Sequence, residues 1–259
     1  MCQSAKTSLI SWVIVSIIAL VILTTGKKNA KWNGLFILTF ILVQLLEFFI
    51  WYDRRQKDLT TSADEALRKG KSAIENKPSS DVFVRLIFIA LWLQPLVQTF
   101  MAYKHGHGYK KQLLVATMVY FVMFIWSITQ ALDKSATFEA QPSLDDESST
   151  CITCNGGKSE DGQEIRGCAG GHLVWRRTNS KSFVGSGPAG AIYIFGLFFG
   201  LFFMKPKMFG IMLTILGGIM VVYTSREHQK NDFSSMWCLY ASFYAILAFF
   251  MAYSRLDKS

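Results

Sequence analysis

Charge is what this chain has least of. Lys, Arg, Asp and Glu make up 17% of its 259 residues, against the roughly 25% usual in soluble domains. With 51% hydrophobic residues, including 21 Phe and 7 Trp, a water-soluble fold would have too little polar surface to cover its interior. Histidine, cysteine and proline are also scarce, at four, five and five residues. No H-E-x-x-H, G-x-S-x-G or phosphate-loop pattern occurs, which removes the common signatures of zinc proteases, serine hydrolases and nucleotide hydrolases. The chain is therefore expected to be non-enzymatic, with no bound cofactor. The formal net charge of +9 does not point to nucleic acid, because the positive residues flank apolar stretches instead of forming one patch.

What is there in quantity is long apolar runs. Seven blocks of about 20 residues fall at 9–25, 32–52, 82–103, 112–132, 183–204, 208–224 and 235–253. That is the length a helix rising 1.5 Å per residue needs to cross about 30 Å of hydrocarbon. Backbone amides in lipid must be satisfied within the segment, which selects helices. The expected fold is all-α, a bundle of seven transmembrane helices forming one domain over 1–259, with membrane lipid as its first partner and further copies or other membrane proteins as others. The first block follows Lys6 as a secretory signal would, but no A-x-A cleavage pattern comes after it.

Loop charge gives an orientation. With the N-terminus outside or lumenal and the C-terminus cytoplasmic, the inner loops are KKNAK, KHGHGYKK, KPK and the tail SRLDKS. These carry Lys27, Lys28, Lys31, Lys104, Lys110, Lys111, Lys205, Lys207, Arg255 and Lys258, opposed only by Asp257. Arg54, Arg55 and Lys57 stand against this orientation, directly after the second block on the outer side.

Two outer loops are long. In 53–81, Ser62 and Glu65 have capping-box spacing ahead of Leu67 and Ile74, which predicts a short surface helix ending before Pro78. In 133–182, Cys151, Cys154, Cys168 and His172 are spaced C-x2-C-x13-C-x3-H. Outside the cell the expected chemistry is a disulfide from Cys168 to Cys151 or Cys154, contributing about 3 kcal/mol for a loop of about 15 residues. In the cytosol the same four residues satisfy a tetrahedral Cys3His zinc site. No N-x-S/T sequon occurs in either loop.

Polar residues inside the apolar blocks are the candidate site. The second block places Gln44 and Glu47 three residues apart on one helical face, and the third places Gln94 and Gln98 one turn apart around Pro95. Counting from the block ends puts Gln44 and Gln94 near the midplane, with Glu47 a turn nearer the outer face, so the two helices are expected to meet through one amide and carboxyl cluster. It serves either as a ligand, ion or proton site at Glu47 or as interhelical hydrogen bonding. Arg85 is expected to snorkel to the interface. Gly196 and Gly200, then Gly210, Thr214 and Gly218, then Ala241, Ala245, Ala248 and Ala252 form stripes for close helix approach.

The seventh block, SSMWCLYASFYAILAFFMAY, has no lysine and so no seat for a retinal Schiff base. FMAYKHG and ILAFFMAY stand where G-protein-coupled receptors carry their acidic-Arg-aromatic and N-P-x-x-Y motifs. Three fragments, EFFIW around Glu47, LQPLVQ around Pro95 and CAGGHLVWRR after the cysteines, resemble an uncharacterised family of polytopic membrane proteins of giant viruses and their algal hosts. The chain departs from that pattern at Leu93, where the family has a histidine or aromatic residue, and at Gln98, near which it has an asparagine. The resemblance implies a viral membrane protein and no particular activity.

Overall fold

The computed structural model describes residues 5–60, 81–142, 173–177, 187–204, 207–227 and 236–253. Among these residues the elements are α1 (Ala5–Thr24), α2 (Lys28–Thr60), α3 (Asp81–His105), α4 (Lys110–Leu132), β1 (Phe138–Pro142), β2 (Leu173–Arg177), α5 (Gly187–Phe199), a 3-10 turn (Gly200–Phe203), α6 (Lys207–Glu227) and α7 (Met236–Tyr253). Each expected apolar block is the body of one helix. Three of the helices are long and apolar enough to cross a membrane, at Lys28–Ile50, Asp81–His105 and Lys110–Leu132. The other apolar stretches are shorter, at Ser8–Thr24, Pro188–Phe203, Lys207–Ile219 and Ser242–Tyr253.

Two helices and one loop depart most from the sequence expectation. Helix α2 continues from the apolar block through DRRQKDLT to Thr60, because that segment holds neither Gly nor Pro and most of its residues tolerate a helix. The fifth helix tightens into a 3-10 turn at Gly200, where the glycine backbone sits against Gln98 of α3. The fold is helical as expected, but the 133–182 loop is not wholly irregular. Strands β1 and β2 pair antiparallel, with Phe138 opposite Arg177 and Pro142 opposite Leu173. The short helix expected after Ser62 lies outside the described residues, as do Cys151, Cys154, Cys168 and His172, so both the disulfide and the zinc alternative fall there.

Helices α2 and α3 form the centre. The first packs on α1, α3 and α7, and the second on α2, α4, α5 and β1. Close approach is bought with glycine: a methyl group on Gly34 would lie 2.6 Å from Leu23 of α1, and one on Gly196 would overlap the Tyr120 ring of α4. Of the small-residue stripes, Gly196, Gly200, Gly210, Ala245, Ala248 and Ala252 are buried. In α6, however, it is Gly217, facing Phe198, that makes the tight contact, while nothing lies within 4 Å of a methyl placed on Gly218.

Much of the described exterior is apolar, and several polar groups are buried beside the apolar core. Phe250, Val122 and Val115 are 63–65% exposed, whereas Gln44, Glu47 and Gln98 are 0% exposed. Water would select the reverse; this is the distribution a hydrocarbon solvent selects.

The lysine-rich α1–α2 and α3–α4 turns lie at one end. Lys27 Nζ donates to the Ala252 carbonyl at the end of α7 (2.7 Å), and the His107 amide in the α3–α4 turn donates to Phe203 of the 3-10 turn (3.2 Å). With Trp32 bonded to Gln98, this end holds the α1–α2 turn, the α3–α4 turn, the 3-10 turn and the end of α7. Asp81, Asp133 and the β1–β2 pair occupy the opposite end.

Candidate functional site

Helices α2 and α3 carry the buried polar side chains, and two contacts between them set their relative levels. Trp32 Nε1–H donates to Gln98 Oε1 at 2.8 Å near the lysine-rich end. Toward the other end, the rings of Phe49 and Phe83 stack at 5.5 Å. In this antiparallel pair Gln44 is therefore level with residues 86–88, about 10 Å along the axis from Gln94 at 1.5 Å per residue. The single amide and carboxyl cluster expected from the sequence is thus divided into two tiers. Counting inward from block ends could not find this, because the offset between two helices is fixed by their packing.

The tier nearer the lysines is made of interhelical clamps. Besides the Trp32–Gln98 bond, Tyr193 of α5 donates its hydroxyl to Gln94 Oε1 at 2.5 Å. Tyr244 of α7 donates to Asn33 Oδ1 of α2 at 2.7 Å. All six side chains are at most 1% or 2% exposed. Trp92 packs edge-on against Tyr193, with centroids 5.9 Å apart. Pro95 is accommodated inside a continuous α3, and Thr99 Oγ1 donates to its carbonyl at 2.8 Å. Asn33, Tyr193 and Tyr244 are members of this network that the sequence reading did not single out. The spacing of Asn33, eleven residues before Gln44 on the same helix, was the available signal.

The second tier holds Gln44 and Glu47, both fully buried on α2. Among the described residues their Oε1 atoms accept no hydrogen bond, while both residues take part in other interactions. In the first tier the Trp92 Nε1–H and the Gln98 Nε2 amide find no acceptor among the described residues. A buried donor without an acceptor costs about 1–3 kcal/mol.

Arg85 reaches the end of the bundle, where it is held by specific partners. Its guanidinium turns toward the end of α4 and donates to the carbonyls of Ala131 (2.5 Å), Asp133 (2.7 Å) and Ala136 (2.5 Å), with Nε on Asp81 at 2.8 Å. It also lies 4.7 Å over the Phe138 ring, and Asp81 accepts the Phe138 amide at 2.9 Å. The pair therefore caps α4 and anchors β1, the start of the hairpin from which the cysteine-bearing segment leaves and to which it returns. A planar fork of five donors can meet several carbonyls at once, as a single ammonium cannot.

Comparison with known proteins found no match, whether among family models, curated proteins or solved structures.

Proposed function

We propose that the chain is an integral membrane protein of seven crossings, N-terminus outside and C-terminus cytoplasmic, serving as a non-enzymatic structural or accessory component of its membrane. One observation carries this reading: the polar side chains of the interior are used to tie helix to helix. The amides of Gln94, Gln98 and Asn33 each accept from an aromatic side chain on a different helix. Such bonds hold a bundle in one arrangement, each contributing about 0.6 kcal/mol in measured membrane cases. The seven crossings are supported by the gathering of the lysine-rich turns at one end, and the orientation by the preference of such turns for the cytoplasmic side. On this orientation the cysteines face an oxidising compartment. The resemblance to the giant-virus family points to the same class of protein.

A second reading, a transporter, channel or sensor working through Glu47, draws on the complete burial of an ionisable group away from the clamps. Liposomes containing the purified protein and its Glu47→Gln variant separate the two. No pH-dependent ion flux from either protein is the expected result. Flux from the wild type that Glu47→Gln abolishes, with folding unchanged, would replace the structural reading with the transport one.

A further inference from the structure

The outer wall between α3 and α4 carries an apolar groove of about 320 Å³, lined by Leu96, Val97, Phe100, Thr117, Met118 and Phe121. Thr117 spends its hydroxyl on the Leu113 carbonyl, at 2.8 Å, so the groove offers no donor to a polar guest. Its upper edge meets the basic end directly. Phe100 lines the groove, and Lys104 Nζ stands 5.9 Å from the centre of the same ring. Lys110 reaches back over Tyr103, its Nζ 5.7 Å from that ring and bonded to the Tyr103 carbonyl. Lys104, Lys110 and Lys111 are exposed, and no Asp or Glu occurs anywhere from residue 100 to 132. A slot for a hydrocarbon chain thus opens upward onto the positive charge of three lysines.

We propose that this corner of α3 and α4 is a binding site for one anionic glycerophospholipid of the surrounding bilayer, its phosphate held by Lys104, Lys110 and Lys111 and one acyl chain laid in the groove. The inference rests on the membrane reading above and adds a ligand to it. Charge complementarity selects the headgroup, since a zwitterionic lipid brings a cation of its own to the three ammonium groups. The groove selects a lipid over free phosphate, because its lining gives an inorganic ion nothing to bind.

The test uses the full chain, purified in detergent, stripped of lipid and mixed with equal amounts of phosphatidylglycerol and phosphatidylcholine, with bound lipid read by native mass spectrometry. One phosphatidylglycerol per chain is expected. Each of K104Q, K110Q and K111Q should weaken it about fivefold, and the triple variant about a hundredfold. M118W, which fills the groove, should weaken both lipids while leaving the lysines intact. The single lysine variants carry the test if the triple variant fails to fold. Equal retention of the two lipids, indifference to the lysine substitutions, indifference to M118W, or displacement by millimolar inorganic phosphate would each overturn the site. Failure of the membrane reading itself looks different: the chain would stay monodisperse with no detergent, before any lipid is added.

Discussion

An amide side chain in hydrocarbon is tolerable only with a partner, and Gln94 has one in Tyr193. Gln94→Leu removes the acceptor and strands a buried hydroxyl, so it should lower stability by about 1 kcal/mol, near the upper part of the range for such bonds in membranes. A double-mutant cycle with Tyr193→Phe, read by unfolding in detergent, should recover a coupling of that order; strict additivity would show that the two groups do not interact. Arg85 is the costlier position. Lysine in its place keeps the charge but cannot reach Asp81 and three carbonyls together, and Arg85→Lys should lose about 2 kcal/mol. Gln44, Glu47, Gln94 and Gln98 were legible as buried polar positions because an apolar run makes any polar residue conspicuous. The partners of Arg85, carbonyls some 50 residues later, were illegible because they carry no sequence signal.

At the scale of elements, the helices were written plainly in the apolar runs, whereas the contacts between them were not. Glycine shows the difference. Gly217 and Gly218 are adjacent in an apolar helix, and the sequence stripe chose Gly218; packing chose Gly217, because only its face turns toward Phe198. Gly217→Ala should destabilise by about 1–3 kcal/mol through overlap with that ring. Gly218→Ala, with open space around it, should be neutral or gain up to about 1 kcal/mol from helix propensity. Equal effects in a thermal-shift comparison would contradict the packing of α6 on α5. The relative level of Gln44 and Gln94 was illegible for the same reason, as was the pairing of β1 with β2, two five-residue strands separated by 30 residues of chain.

For the whole molecule, the central claim is that the helices cross a hydrocarbon layer with the lysine-rich turns together on one side and the Arg85 cap on the other. His107, in the α3–α4 turn, and Ser135, beside the cap, are both exposed and lie at opposite ends of α4. The most direct measurement places a single cysteine at either position in a cysteine-free background and exposes sealed cells to a membrane-impermeant thiol reagent. The account predicts that Ser135→Cys is labelled in intact cells and His107→Cys only after permeabilisation. Labelling of both positions from the same side would contradict it.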